Sequence, residues 1–221
     1  MLNHFHGKTA EAQTAGSMQG WGNTYDSLVG LLSLGQEQKL RQATLELAGL
    51  QPGEKILEVG CGTGTLSLKA RAKAGQQTQV TGIDIAPDMI ETARRKAAKA
   101  GLDVNFQVGR IEEIPFPDCQ FDLVLSSLMM HHVPGEDAKQ KGMKEVFRVL
   151  KPGGRLLIVD VAPPDNPHLR GLASLIVGKE MLAHNVGEFV PLLEKAGFTS
   201  IETGPTKSSF LAYLSGKRPQ V

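Results

Sequence analysis

Downstream of Pro52-Gly53 the chain alternates short apolar runs with longer stretches in which apolar residues recur every three or four positions. The short runs predict strands at 55–59, 79–84, 104–108, 121–126 and 154–160, and the longer stretches predict helices at 64–74, 87–100 and 136–149. A last helix over 186–196 stops at Gly197, a C-cap position. Two further strands follow near 198–203 and 207–214. Gly204-Pro205-Thr206 between them suits a hairpin that sets the last strand antiparallel. The alternation demands a mostly parallel sheet with helices on both faces, an α/β fold of seven strands.

Upstream, helices are expected at 22–33 and 36–49. Leu28, Leu31 and Leu32, then Leu40, Leu45 and Leu47, supply their apolar faces. Residues 1–20 are polar and rich in Gly, Ala and Gln, and read as a lid or a tail. Residues 165–185 interrupt the alternation. There Leu169, Leu172, Ala173, Leu175, Ile176 and Val177 can form one helical stripe, packed on the core or walling a substrate pocket. The expected organisation is one domain over 1–221, with N-terminal lid and helices at 1–50 and the sheet core at 51–221.

The first strand ends in Glu58-Val59-Gly60-Cys61-Gly62-Thr63-Gly64-Thr65. Glycine permits a tight turn and close approach of a ligand to the backbone. The free N–H groups of the following helix favour a polar or anionic ligand. A dinucleotide fold wants Gly-x-Gly-x-x-Gly, but the third position here is Thr65. The pattern present is Glu-x-Gly-x-Gly-x-Gly. A second strand, Val80-Thr81-Gly82-Ile83-Asp84, ends in an acid suited to a pair of ribose hydroxyls. Phe121-Asp122-Leu123-Val124-Leu125-Ser126 and Leu150-Lys151-Pro152-Gly153-Gly154-Arg155 follow.

These four motifs, in this order, resemble those of class I S-adenosylmethionine-dependent methyltransferases, and the likeness runs from about Tyr25 to Tyr213. The nearer resemblance is to small-molecule enzymes of the ubiquinone/menaquinone-biosynthesis type. It implies a Rossmann-like sheet with S-adenosyl-L-methionine at the carboxyl ends of the strands. Gly60, Gly62 and Gly64 are expected under the methionine end, with Glu58 orienting the loop. Asp84 is expected on the ribose, although it also qualifies as a helix N-cap. Ile85 and Ile111 are expected to sandwich the adenine. Many relatives carry an acid before the second of these, where Arg110 stands here. Arg110 has donors only, so Glu112 or water must take that part. Ser126 is expected near the methionine moiety, and Tyr25, beside Asp26, near the same end by resemblance.

Methyl transfer needs alignment of nucleophile, methyl and sulfur, and a base only where the acceptor must lose a proton. Candidate bases are His131, His132 and His184, with Tyr25, His4 and His6 as lid candidates. His131 and His132 can equally cap the short helix after strand four. The expected acceptor is a small, partly apolar molecule. The alternative is a protein that binds the cofactor without methyl turnover. Ser126-Ser127-Leu128-Met129 lacks the Asn/Asp-Pro-Pro-Tyr motif of enzymes acting on base amino groups or glutamine amides.

The chain has 221 residues and a net charge of +1, so no long-range field recruits nucleic acid. Arg94, Arg95, Lys96 and Lys99 read as a solvated helix face. Cys61 and Cys119 make neither a disulfide framework nor a metal site. Gly7-Lys8-Thr9 lacks the upstream glycine of a phosphate loop. Without a signal-peptide core or an apolar run of about 18 residues, no stable membrane insertion is expected and a cytoplasmic location is the default.

Overall fold

The computed structural model describes residues 36–164, 184–206 and 211–220. The expected lid, Tyr25, His4, His6 and the apolar stripe at 169–177 lie outside the described residues. The described elements run α1 (Gln36–Ala48), β1 (Lys55–Val59), α2 (Thr65–Ala74), β2 (Gln79–Asp84), α3 (Pro87–Ala100), β3 (Asn105–Val108) and β4 (Phe121–Ser127). A 3₁₀ turn over Met130–His132 then leads to α4 (Gly135–Val149) and β5 (Leu150–Val161). A second 3₁₀ turn, Val186–Phe189, leads to α5 (Val190–Ala196), β6 (Thr199–Pro205) and β7 (Leu211–Lys217).

The strands form one seven-stranded sheet in the order β3-β2-β1-β4-β5-β7-β6. The first five are parallel, and β7 runs antiparallel to both β5 and β6. The strand order reverses between β1 and β4, which leaves a crevice at their carboxyl ends.

Alternation along the strands divides the core between the two faces of the sheet. Leu57 and Val59 of β1 pack with Met143 and Val146 of α4 and with Leu192 and Leu193 of α5. Ile56, one residue out of step, packs on the opposite side with Ala48 of α1. Leu45 of α1 meets Leu66 and Ala70 of α2, and Ala93 and Ala97 of α3 meet Phe106 of β3. Arg155 of β5 fastens α1 to the sheet by donating to the carbonyls of Ala48 (2.8 and 3.1 Å) and Gly49 (3.1 Å) while pairing with Glu54 at 2.6 Å. A cation on the last carbonyls of a helix is a C-cap in all but name.

Several expectations need correction. Leu47 is 42% exposed, and the inner face of α1 is instead Ala43, Thr44, Leu45 and Ala48. Gly204 and Pro205 lie inside β6, so the hairpin connection starts later, closed by the Thr206 N–H and hydroxyl on the Leu211 carbonyl (3.1 and 2.8 Å). Among the described residues β7 runs over Leu211–Lys217, and the expected start at 207 lies outside them. β5 begins at Leu150, four residues early, through a register shift against β4 that accommodates Lys151-Pro152-Gly153. The basic face of α3 is only partly a solvated one. Arg94 donates to the Phe106 carbonyl (2.6 and 2.9 Å), and the Lys96 ammonium donates to the hydroxyls of Thr65 (2.6 Å) and Thr63 (3.1 Å).

Candidate functional site

The cleft at the switch point is assembled from five places in the chain. They are Leu40 and Arg41 of α1, the segment Glu58–Thr63, Asp84, Ile85 and Met89 around the end of β2, Gly109–Glu112 after β3, and Ser127–Met129 with His132–Pro134 after β4. Two backbone bonds lock the turn after β1: the N–H groups of Gly60 and Cys61 both donate to the Ile83 carbonyl, at 2.8 and 2.9 Å.

The three glycines divide into two jobs. All have positive φ, of 70°, 52° and 76° for Gly60, Gly62 and Gly64. A Cβ on Gly62 would meet nothing within 4 Å, so its open side belongs to the cleft. On Gly64 it would lie 2.5 Å from Phe106 Cζ and 2.9 Å from the Ala93 Cβ. Gly64 is therefore demanded by packing of α2 on α3 and β3, and it does not line the cleft. On Gly60 a Cβ would strike the Met129 side chain at 2.1 Å, which fixes how closely the two cleft walls approach.

The acids flank this turn. The Asp84 carboxylate accepts from the Gly62 N–H at 2.8 Å and from the Ala86 N–H at 3.0 Å. It thus holds the backbone that leads into α3 and tethers the glycine turn, but it is not the N-cap of α3, which is Ala86 with no side-chain cap bond. Burial lifts its pKa, against the lowering effect of those N–H groups. A carboxylate offers about four lone pairs, so two further donors can be accepted from the cleft side. Glu58 is buried and accepts from the Ser67 hydroxyl of α2. Burial raises its carboxyl from 4.5 to about 7, although the Ser67 bond and the charge of Arg41 pull the other way.

At the other end, Ile85, 44% exposed, and the buried Ile111 both line the cleft. Arg110 and Glu112 sit together at its edge with a long 3.5 Å contact. Ser126 is not among the cleft residues. β4 continues to Ser127, alternation turns the two serines to opposite faces, and Ser127 lines the cleft instead. The buried Ser126 hydroxyl has no hydrogen-bond partner among the described residues.

The two adjacent histidines are also separated. His132 lines the cleft, while His131 is buried behind it. Burial, and then the neighbouring His131, hold the His132 pKa below its usual 6.5. His131 Nδ1 lies 2.7 Å from Asp160 of β5, and its ring is 6.2 Å from that of His184. Sequence reasoning missed Arg41, Asp160, Leu128 and Met129. Arg41 carried no local signal, being one charged residue in a surface helix. Asp160 is a buried acid in an otherwise apolar strand, Leu156–Val161, and that contrast was a signal available in the sequence.

These residues fit S-adenosylmethionine: an open glycine face for a main-chain-like moiety, an acid for two hydroxyls, and apolar side chains for a purine. Comparison with known proteins agrees. Residues 56–154 match the family model "Methyltransferase domain". The ubiquinone/menaquinone biosynthesis C-methyltransferase UbiE of Shewanella piezotolerans is 34% identical over 185 residues, covering 80% of this chain and 72% of the relative. That of Shewanella sediminis is 33% identical over 179 residues, covering 78% and 70%. Among solved structures, an S-adenosylmethionine-dependent methyltransferase from Aquifex aeolicus superposes with a TM-score of 0.67 at 23% identity, covering 80% of this chain and 89% of that one. The [4+2]-cyclase SpnF gives a TM-score of 0.68 at 20% identity, covering 83% and 81%. With a relative of such identity and coverage, four motifs in order and the seven-stranded sheet, the chain belongs to the class I S-adenosylmethionine-dependent methyltransferases.

Proposed function

We propose that this methyltransferase acts on a small, partly apolar molecule, as the named activity of its UbiE relatives suggests. The observation that carries the reading is the make-up of the cleft. One wall is the glycine turn with Glu58 and Asp84, and the facing wall is Leu128, Met129, His132, Val133 and Pro134. The first suits the cofactor. The second is mostly apolar with one titratable group, which suits an acceptor with a ring or hydrocarbon body.

In this reading Asp84 holds the ribose hydroxyls, and Gly60 and Gly62 give backbone contacts to the methionine end. Glu58, an acid that an ammonium would favour in its charged form, and the cationic Arg41 both line the cleft and face the ammonium and carboxylate of that end. Ile85, Ile111 and Met89 enclose the adenine, with Glu112 beside it. The sulfonium supplies an activated methyl group. The protein supplies alignment, worth roughly 7–11 kcal/mol of a barrier when reacting atoms are held in line, and apolar walls that exclude water. Within the expected single domain, Tyr25 and residues 1–20 are proposed to complete that closure. Nucleic acid is not an expected partner. Among the described residues no helix is long and apolar enough to cross a membrane, and the cytoplasm is the proposed location.

The test is incubation of the protein with methyl-labelled S-adenosylmethionine and a metabolite extract, followed by mass spectrometry. Label in small apolar products is expected. Label only in protein or nucleic acid would overturn the reading.

A further inference from the structure

Three imidazoles and one carboxylate converge beside the acceptor wall from three separate parts of the chain. His131 and His132 come from the 3₁₀ turn after β4, Asp160 from β5, and His184 from the segment before Val186. The rings of His131 and His132 are 4.0 Å apart, tilted by 44°. Asp160 is 2% exposed and accepts three N–H donors: Nδ1 of His131 at 2.7 Å, the Val161 N–H at 2.7 Å and, more weakly, the His131 N–H at 3.4 Å. A carboxylate partner fixes the proton of neutral His131 on Nδ1. Its Nε2 is then a buried acceptor, and it has no hydrogen-bond partner among the described residues. Fold stability does not call for a buried carboxylate and an unmet imidazole nitrogen at a strand end. Such a costly arrangement at the edge of a ligand cleft points to function.

We propose, on the basis of the methyl-transfer reading above, that His132 is the base that takes a proton from the methyl acceptor, with His131 and Asp160 as its positioning residues. The acceptor is accordingly a weak acid of phenol type, which must lose a proton, rather than a thioether or a neutral amine. The acceptor's proton passes to an imidazole nitrogen of His132, and its freed electron pair takes the methyl carbon. The electrons of the broken methyl–sulfur bond stay on the departing thioether, and His132 returns its proton to solvent. The base must be neutral when the acceptor arrives. The groups that face His132 act in both directions: His131 and His184 oppose its protonation and Asp160 favours it, while burial disfavours the charged form. Asp160 also holds His131 in a single orientation against the His132 ring, which gives the base a fixed neighbour on that side.

The experiment uses the full chain with S-adenosylmethionine and a panel of a 1,4-naphthoquinol, catechol, a primary alkyl amine and a dialkyl thioether. Methylation of the naphthoquinol or catechol is expected, with kcat falling below an acid limb that lies under 6.5. His132→Gln should lower kcat about 100-fold or more and abolish the limb, with the Kd for S-adenosylmethionine changed less than about twofold. Asp160→Asn should lower kcat by up to about 100-fold and move the limb to lower pH, because the charge that favours the His132 cation is gone. If that buried variant does not fold, His131→Gln serves, with the same loss of kcat at an unchanged cofactor Kd. Histidine NMR titration of the acceptor-free protein should show one imidazole below 6.5 whose midpoint falls further in Asp160→Asn. Retained kcat and pH profile in His132→Gln overturn the proposal, as does methylation confined to the amine or thioether, or no methylation of any panel member by protein that binds the cofactor. Failure to bind S-adenosylmethionine at all would instead overturn the methyl-transfer reading on which it rests.

Discussion

The Asp84 carboxylate accepts a 2.8 Å hydrogen bond from the Gly62 backbone N–H, 22 residues earlier in the chain. The acid at the end of β2 thus holds the glycine turn at the end of β1 in place before any ligand arrives. Two features that look independent in the sequence are one device. Asp84→Ala should weaken S-adenosylmethionine binding by about 2–4 kcal/mol, the scale of charge-assisted bonds left unmade. It should also lower the melting temperature, because the N–H groups of Gly62 and Ala86 lose their acceptor. Asp84→Asn keeps one acceptor oxygen and should recover most of the stability but little of the affinity. Calorimetric titration beside a thermal melt checks both. Unchanged affinity in the Ala variant would move the ribose site elsewhere.

Gly62→Val and Gly64→Val should fail for different reasons. At Gly62 the new side chain enters open cleft space at a φ of 52°, so binding is lost while the fold survives with a strain cost of about 1–3 kcal/mol. At Gly64 it collides with Phe106 and Ala93, so the fold itself should fail. Circular dichroism and cofactor titration on the two variants separate these outcomes, and a folded Gly64→Val that binds normally would contradict the packing role.

Cofactor binding should depend on pH through Glu58. Its carboxyl is raised from 4.5 to about 7, so the fold favours the neutral acid. That contribution to stability is complete below about 4.5 and is lost as pH rises through about 7. In the cofactor-free protein, stability should fall over that window, and Glu58→Gln should flatten the fall. An ammonium beside Glu58 favours its charged form. Binding below pH 7 should therefore release a proton, and affinity should climb up to about pH 7. Titration in buffers of different ionisation enthalpy measures the proton directly. No proton release at pH 6.5 would place the ammonium away from Glu58.

Arg155→Leu should cost roughly 2 kcal/mol or more, the scale of several hydrogen bonds to a charged group lost together. It uncaps the carbonyls of Ala48 and Gly49 and leaves Glu54 with only the Gln51 N–H as donor among the described residues. Because α1 carries Leu40 and Arg41 to the cleft, cofactor affinity should fall as well. Chemical denaturation and cofactor titration on one preparation test the coupling. A destabilised variant with full affinity would show that α1 docks without Arg155.

The sequence by itself determined the strand–helix order, the glycine turn and the acid at Asp84. These are local signals: period-two and helical repeats, glycines where φ is positive, and an acid that ends an apolar run. They placed β1, β2 and α3 at their observed bounds. What distinguishes Ser127 from Ser126 was out of reach, since adjacent strand residues face opposite sides and only the packing of β4 shows which side opens on the cleft. The same holds for Gly64, whose partner Phe106 is 42 positions away, and for His131 and His132, adjacent in sequence but set one behind the other by Asp160 of a neighbouring strand. Only the tertiary structure brought Arg41 to the cleft and Asp160 to the histidines. A side chain's role there depends on which distant group meets it across the sheet, and no local period encodes that meeting.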